Sequence, residues 1–192
     1  MPGPVKTAEK LDGRRQRSEQ SRAAIVDAML DLLRAGNPRP GAQEIAERAG
    51  VSLRSVFRHF EDLDALYTVV TDRQKERSEH LFELGPVNGS LERRIALLIE
   101  QRARLFEEIA PVRRAALRLA PFHAPIRNRL ADSNAVLRRH LPRVFAAELE
   151  ALAPAARREL LDALEVASSW NAWDALRTDQ NLSAERAAKV VG

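Results

Sequence analysis

Cysteine is absent from this chain of 192 residues, and aromatic residues make up only 5% of it. The lack of cysteine excludes disulfide bridges, thiolate metal ligands and a cysteine nucleophile. No apolar run approaches the roughly 18 residues that a membrane span needs, and the first residues lack the apolar segment of a secretory signal. We therefore expect a cytoplasmic protein that does not contact a membrane.

The patterns that catalysis and metal binding require are also missing. The histidines are scattered, without an H-E-x-x-H sequence: His59, His80, His123 and His140. His80 and Glu83 lie three residues apart, but the sequence has no second pair of this kind to complete a two-metal site. There is no glycine-rich phosphate loop either. We predict a protein that is not an enzyme and that needs no metal or other cofactor.

Positive charge is concentrated at one end of the chain. The net charge is +4, and residues 1–60 hold 11 Lys and Arg against 7 Asp and Glu, so the whole excess lies there. The remaining residues are balanced, with 20 charges of each sign. This asymmetry is typical of a polyanion-binding segment joined to a neutral body. An unstructured basic tail would give part of the same excess.

Apolar residues recur at helical spacing along most of the chain, and strand-like alternation is absent. With prolines, glycines and capping residues as boundaries, the pattern predicts an all-α fold of about nine helices. The predicted helices cover approximately residues 18–36, 42–49, 52–60, 62–84, 91–109, 111–121, 124–152 with a kink or break at Pro142, 154–178 and the stretch after Ser183. Residues 1–17 have little apolar material, and we predict a disordered basic arm there.

Residues 46–60, A-E-R-A-G-V-S-L-R-S-V-F-R-H-F, contain a tight turn between two short helices. Gly50 supplies a backbone that can end one helix and turn sharply. Val51 fills the corner, and Ser52 can accept the first free amides of the next helix. This arrangement predicts a helix-turn-helix within a three-helix head of residues 18–66.

The second helix of this motif has two distinct faces. At about 100° per residue, Val56 and Phe60 fall on one side, which we expect to be buried. Arg54, Ser55 and Arg58 fall on the opposite side. An α-helix fits the major groove of B-DNA, where an arginine can donate two hydrogen bonds to guanine. Two isolated arginines would more often only solvate a helix face, but the turn, the head and the local charge excess together favour DNA binding.

Residues 45–66, I-A-E-R-A-G-V-S-L-R-S-V-F-R-H-F-E-D-L-D-A-L, closely resemble the helix-turn-helix of the tetracycline-repressor (TetR) family. Residues 21–36, S-R-A-A-I-V-D-A-M-L-D-L-L-R-A-G, are similar to that family's first helix. Beyond about residue 70 the chain resembles the family in helix pattern alone. The resemblance implies a DNA-binding head and a body, residues 67–192, that binds a small molecule and dimerises.

The resemblance also implies a role for each matching position. The start of the recognition helix would comprise Ser52, Leu53, Arg54 and Ser55. Arg58 would face the bases, and Phe57 and His59 would lie against the sugar-phosphate backbone.

Three positions depart from the family pattern. Phe57 stands where the family often has tyrosine, Gly41 where it has a capping threonine, and Leu63 where it often has lysine. Phosphate affinity must then come from elsewhere, and the available arginines near the N-terminus are Arg14, Arg15, Arg17 and Arg22. The segment from Lys6 to Arg17 could equally be an inert solubilising tail.

Dimerisation is expected, because a single short recognition helix buries too little surface for tight operator binding. In the resembling family the last two long helices form the dimer interface, which here would be residues 154–178 and the piece after Ser183. A mostly aliphatic stripe suits such packing and comprises Leu160, Leu161, Leu164, Ala167, Ala172 and Ala175. This stripe could instead belong to the core of a single chain.

Polar residues interrupt the apolar stripes of the body at two positions. Arg102 lies between Leu98 and Leu105, and Asn134 interrupts the series that runs from Ile126 to Leu141. A buried arginine needs a partner, which could be a carboxylate of this chain, such as Glu100, Glu108 or one on another helix, or an anionic ligand. The large aromatic side chains that could line a pocket are Phe82, Phe106, Phe122, Trp170 and Trp173, although such residues are more often core.

Together these observations predict a ligand-responsive, sequence-specific DNA-binding regulator, most simply a repressor that a small molecule releases from a palindromic operator. The predicted helix of residues 62–84 joins head to body and would transmit the change. The alternative is a helical small-molecule-binding protein whose DNA-binding head is vestigial.

Overall fold

The structure, a computed structural model, describes the backbone from Val5 to Gly192 and the side chains from residue 13 onward. This part of the chain is all-α, as predicted, and contains no strand. It has nine helices of seven or more residues and two single-turn helices. Their bounds are α1 Val5–Arg34, α2 Ala42–Ala49, α3 Leu53–His59, α4 Leu63–Ser78, α5 Leu91–Leu119, α6 Ala124–Arg138, α7 Leu141–Val144, α8 Ala146–Glu150, α9 Pro154–Ala167, α10 Trp170–Thr178 and α11 Ala184–Val191, with a 3-10 helix Glu79–Phe82 after α4.

The helices form two compact units. The first consists of the residues up to Gln74 together with Pro111–Ile126, and the second of Lys75–Ala110 together with Arg127–Gly192. The predicted boundary at residue 66 therefore differs from the observed one by eight residues. The association of Pro111–Ile126 with the first unit could not be predicted, because it depends on tertiary packing.

Helix α1 begins at Val5, which differs from the disordered arm predicted for residues 1–17; the part of that prediction on residues 1–4 lies outside the described residues. The helix passes through Ser18 and Ser21 rather than beginning there. The hydroxyl of Ser21 donates to the carbonyl oxygen of Arg17, at 2.9 Å, and Arg15 forms an ion pair with Glu19, at 3.0 Å. Ion pairs four residues apart stabilise a polar helix by about 0.2–0.5 kcal/mol each, and a composition-based prediction of disorder misses them.

Helix α5 continues through Pro111, where the sequence predicted a stop. Proline removes one backbone donor from a helix, at a cost of about 3 kcal/mol. Val112, Ala115 and Ala116 are buried just beyond it. Their burial offsets that cost, so the two predicted helices are one.

The second half of the chain is more divided than predicted. The helix expected for residues 124–152 separates into α6, α7 and α8, and the break just before Pro142 agrees with the prediction. The helix expected for residues 154–178 also divides, because the hydroxyl of Ser169 accepts a hydrogen bond from the Ala172 amide, at 3.2 Å, and caps α10. Ser183 caps α11 as predicted.

Two apolar clusters form the core of the second unit. The aromatic cluster contains Leu105, Phe106, Ile109, Ala110, Leu137, Trp170, Trp173, Leu176 and Ala187. The leucine cluster contains Leu84, Leu98, Leu141, Val144, Phe145 and Leu149. Leu160, Leu161 and Leu164 of α9 are half-buried and pack against the leucine cluster. Three residues of the proposed dimer stripe therefore contribute to the core of a single chain, which was the alternative interpretation.

Candidate nucleic-acid interface and ligand site

The turn between α2 and α3 is built around Gly50. This residue has φ 65° and ψ 32°, in the left-handed region that favours glycine. Its amide donates to the Glu47 carbonyl oxygen at 3.2 Å, and the Val51 amide donates to that of Ala46 at 3.0 Å. These bonds satisfy the last carbonyl groups of α2 and redirect the chain within one residue.

Ser52 then starts α3. Its side-chain oxygen accepts a hydrogen bond from the amide of Ser55, at 3.2 Å, which is the N-cap that the sequence predicted. At the other end of the motif, Gly41 caps α2 without a side chain. Instead the carboxylate of Glu44 accepts from the Gly41 amide, at 2.8 Å. The glutamate thus satisfies the Gly41 amide but not the first amides of α2, which the threonine of the TetR pattern would accept from, and it brings negative charge rather than a phosphate-binding hydroxyl.

The faces of α3 agree with the helical projection for the arginines and for the buried side. Val56 and Phe60 are buried, whereas Arg54 and Arg58 are exposed. Ser55 is half-buried, so it lies less far outward than predicted. Two large apolar side chains are also exposed on this seven-residue helix: Leu53 is 40% exposed and Phe57 is 49% exposed. The outer surface of α3 therefore combines two cations with two apolar groups.

Arg22 of α1 contacts the end of this motif. Its guanidinium carbon lies 5.0 Å from the centre of the Phe60 ring, a cation–π arrangement, and the side chain remains exposed. His59 is half-buried beside it. Desolvation lowers the pKa of His59, and the charges of Arg58 and Arg22 lower it further. The imidazole is therefore neutral at pH 7, and its Nε2 atom has no hydrogen-bond partner among the described residues.

Three further arginines near the N-terminus lie on α1 and are exposed. Arg15 is paired with Glu19, while Arg17 donates from Nε to the Gly13 carbonyl oxygen at 2.9 Å. Arg14 is exposed as well. All three project from a helix and not from a disordered arm, so their spacing along the chain is fixed at about 1.5 Å per residue.

Two of the residues that the sequence predicts for ligand binding are exposed. Phe122 lies in the turn after α5 and is 90% exposed, because no helix face covers it there. Asn134 is exposed on α6. The buried side of α6 runs through Ile126, Leu130, Ser133 and Leu137, in steps of four, three and four residues, and Asn134 lies beside this stripe rather than within it.

The other aromatic candidates are brought together in the aromatic cluster. The Phe106 and Trp170 rings meet edge to face with centres 5.6 Å apart, and the Phe106 and Trp173 centres are 6.3 Å apart. The indole of Trp173 donates to Glu107 at 3.0 Å, and Phe82 is half-buried against the cluster. Most of this aromatic surface is core, the more frequent role of such residues.

Arg102 is buried, with only 2% of it exposed, as its position in an apolar stripe predicted. None of the predicted carboxylates is its partner: Glu100 is exposed and lies 3.9 Å from Arg104. The guanidinium of Arg102 instead donates to Gln101 Oε1 and the Leu137 carbonyl oxygen, each at 2.8 Å, and lies 3.3 Å from Nδ1 of His140. Burial lowers the pKa of Arg102 to about 10, so it stays charged at pH 7.

Gln101 and His140 were not among the predicted site residues. Gln101 is buried on α5 and also donates to the Leu81 carbonyl oxygen. His140 lies in the short break between α6 and α7, and desolvation and then Arg102 lower its pKa to about 4. The sequence signal for His140 was its position before Leu141-Pro142, where a helix break exposes backbone groups that polar side chains can bond.

Among the described residues, none of the helices combines the length and apolar character that crossing a bilayer demands.

No protein-family model and no curated protein matches the sequence. Solved structures match its fold. A transcriptional regulator from Rhodococcus sp. Rha1 is 18% identical with a TM-score of 0.62, and the match covers 91% of both chains. A TetR-family transcriptional regulator from Streptomyces coelicolor is 18% identical with a TM-score of 0.60, covering 88% of this chain and 78% of that one. The chain therefore has the fold of these regulators.

Proposed function

We propose that this chain is a TetR-family transcriptional regulator that binds a specific DNA operator through α3 and acts in the cytoplasm. The observation that carries the proposal is the exposed pair Arg54 and Arg58 on a short helix that follows a glycine turn and a serine cap. The shared fold with solved regulators supports it. A regulatory protein of this kind needs no catalytic residues.

The outer surface of α3 suits the major groove. Arginine can donate two hydrogen bonds to guanine, and each such pair contributes about 1–3 kcal/mol of discrimination. Apolar side chains contact the methyl group of thymine. Leu53 and Phe57 are exposed on the same helix as the two arginines, so α3 offers both kinds of contact. An exposed helix that served only solubility would not need two large apolar groups.

Phosphate contacts come from α1 in this proposal. The side chains of Phe57 and Leu63 cannot donate a hydrogen bond to phosphate. The amide of Gly41 already donates to the carboxylate of Glu44. The exposed cations available on α1 are Arg14, Arg15, Arg17 and Arg22. Arg22 is held against Phe60, at the C-terminal end of α3, and so lies close to the surface that would face DNA. His59, at the same end, stays neutral and would contribute no charge to phosphate binding.

The regulator acts as a homodimer in this proposal, so that two α3 helices bind half-sites about one helical turn apart. The leucines on the inner side of α9 pack in the core of the same chain, but the outer side of this helix is exposed. Val166 is 69% exposed there, beside the exposed Ala163 and Ala167, and Val190 of α11 is 62% exposed. These small and aliphatic groups are the surface on which a second copy would pack.

Ligand response follows from linkage. A small molecule that favours a body conformation incompatible with DNA binding weakens the affinity for DNA by some factor. Bound DNA must then weaken the affinity for the small molecule by the same factor. Helix α4 ends at Ser78 and is followed by the 3-10 helix, so the connecting element is shorter than the predicted residues 62–84. We propose that α4 transmits the ligand-induced change to the DNA-binding head. The chain then acts as a repressor that the ligand releases from DNA.

The test is binding to fragments selected from the source genome. Fragments that the purified chain retains are tested by gel shift while salt is raised from about 50 to 200 mM, which lowers non-specific binding by about 10³- to 10⁵-fold. The proposal predicts a fragment that stays bound against excess competitor DNA. Binding that disappears with salt for every fragment would instead support a small-molecule-binding protein with a vestigial head.

A further inference from the structure

Among the described residues, Arg102 is a buried cation without an anionic partner. Its hydrogen-bond partners are a side-chain amide, a backbone carbonyl and an imidazole nitrogen, all of them neutral. Within the part of the chain that the structure describes, no carboxylate lies within salt-bridge distance of it. Its Nε atom has no hydrogen-bond partner there. A buried guanidinium leaves water at a large free-energy cost, which these neutral contacts offset only in part.

The charges that act on His140, the imidazole that faces Arg102, are positive rather than negative. They are those of Arg102, Arg143 and Arg139. Within the described residues, Arg143 donates to two backbone oxygens, those of Leu84 at 3.3 Å and Gly85 at 3.4 Å. His140 is neutral at pH 7 and so supplies no charge of either sign. Among the described residues no acidic group is paired with Arg102, so an incoming anion would meet no competing carboxylate at the guanidinium.

The apolar surface beside Arg102 is aromatic. Phe106 lies one helical turn further along α5, and both side chains are buried, so they share the inner face of that helix. The edge of Trp170 packs on Phe106. A ligand that reaches the guanidinium would therefore place its remaining atoms against apolar groups. One guanidinium balances one negative charge, which favours a monoanion over a phosphate dianion.

We propose that Arg102 anchors a small monocarboxylate with an apolar body, bound on the inner face of α5 beside Phe106. The carboxylate accepts hydrogen bonds from the guanidinium, including its unpartnered Nε atom. This assignment rests on the proposed function in one respect, because it makes that carboxylate the effector of the regulator.

The hydrogen bonds around Arg102 also reach the segment that follows α4. Gln101 accepts a hydrogen bond from Arg102 and donates another to the Leu81 carbonyl oxygen. Leu81 belongs to the 3-10 helix that directly follows α4 in the chain. A carboxylate on the Nε side of the guanidinium competes with the Leu137 carbonyl oxygen for Nη2, and so shifts the guanidinium whose Nη1 donates to Gln101. Binding therefore alters the hydrogen bond that fixes the segment after α4.

The experiment measures binding of defined carboxylates to the full chain. Acetate, hexanoate, benzoate and phenylacetate are titrated, each against its own amide as a neutral control. The readouts are tryptophan fluorescence, since Trp170 and Trp173 both lie in the aromatic cluster, and the thermal unfolding temperature. We expect a saturable response to at least one carboxylate of the apolar series and none to its amide. Equal responses to acid and amide, or no saturable response to any of the four acids, would overturn the proposal.

A pair of variants locates the site. Arg102→Met removes the charge at similar volume, and we expect it to weaken carboxylate binding by about 10- to 100-fold, the range for hydrogen bonds to a charged group. Arg104→Met removes an exposed arginine of the same helix and should leave binding unchanged. Full carboxylate binding by Arg102→Met would contradict the assignment. If that variant does not fold, the comparison of acid with amide on the wild-type chain still decides the question.

The two proposals fail in distinguishable ways. Carboxylate binding that requires Arg102 but leaves the gel shift on a selected fragment unchanged would uphold the site and reject its role as effector site. Absence of any specific DNA fragment would reject the proposed function, whereas the fluorescence titration would still test the site.

Discussion

The guanidinium of Arg58 donates a hydrogen bond to the hydroxyl oxygen of Ser55, one turn earlier on α3, at 3.2 Å. Ser55 is itself held by Ser52, whose hydroxyl lies 3.2 Å from that of Ser55. The N-cap of α3 is therefore connected through Ser55 to the exposed arginine. An exposed arginine loses side-chain entropy when it binds, and a side chain held beforehand in one position loses less.

Ser55→Ala removes the acceptor for Arg58 and leaves the Ser52 cap in place. We expect the affinity for a selected fragment to fall by up to about tenfold, because one hydrogen bond contributes about 0.5–1.5 kcal/mol. Stability should change little, since alanine favours the helix. Fluorescence anisotropy and urea unfolding measure the two quantities. Ser52→Ala is the control, because loss of the N-cap should cost about 1 kcal/mol of stability. A larger loss of stability in Ser55→Ala than in Ser52→Ala would show that Ser55 stabilises the helix rather than positions Arg58.

Gly50→Ala tests the turn. Nothing lies within 4 Å of a Cβ atom added at Gly50, so the penalty is that of the backbone at φ +65° alone. We expect a loss of about 1–2 kcal/mol for alanine and less for Gly50→Asn, because asparagine tolerates this region better. Gly85→Ala is the matched control, with open space around it and no positive φ. The measurement is the midpoint of urea unfolding; equal effects at positions 50 and 85 would be inconsistent with a strained left-handed turn.

The ion pair between Arg94 and Glu148 makes stability pH-dependent. The two side chains bond at 3.0 Å and 2.6 Å, and the bond from Arg94 lowers the pKa of the Glu148 carboxyl below its ordinary value of 4.5. The folded chain therefore binds this proton less readily than the unfolded chain, so the pair stabilises fully above about pH 4.5 and is lost as pH falls through the folded pKa. Wild type should unfold at a higher temperature than Glu148→Gln at pH 7, and the two should converge in acid. A difference in unfolding temperature between wild type and Glu148→Gln that does not change with pH would contradict this role of the ion pair.

His140 acts in a higher pH range. Its pKa falls from the ordinary 6.5 to about 4 on folding, because burial and the neighbouring arginines oppose the charged form. Between these values the unfolded chain binds a proton that the folded chain does not, so stability falls as the pH is lowered from about 6.5 to about 4 and is constant above. His140→Gln should reduce this slope in thermal unfolding. His80→Gln, at an exposed position, should keep it; loss of the slope in that control would assign it to another cause.

Local signals account for the parts of the molecule that the sequence predicted well. The bounds of α2 and the start of α3 depend on Gly50 and Ser52, whose backbone and capping preferences act within a few residues. The outward direction of Arg54 and Arg58 follows from helical periodicity once those ends are known. The family resemblance then assigns functional roles to the same short segment.

The remaining features depend on packing between distant residues. Proline at position 111 favours a helix end locally, but the burial of Val112 and its neighbours extends α5 beyond it. A serine such as Ser169 can cap a helix or lie within one, and only the fold decides between these. The partners of Arg102 could not be predicted, because Leu137 and His140 lie more than 30 residues away in the sequence.

Whether α3 reads bases is measured by selecting bound sequences from a pool of randomised duplexes at physiological salt. Wild type, Arg58→Ala and the exposed-arginine control Arg104→Ala are carried through in parallel. We expect wild type and Arg104→Ala to enrich the same motif with twofold symmetry, its half-sites about one helical turn apart. Arg58→Ala should lose preference at one base position in each half-site, with a cost of about 1–3 kcal/mol against the preferred sequence. An unchanged motif with Arg58→Ala, or no enriched motif with wild type, would contradict base reading by α3.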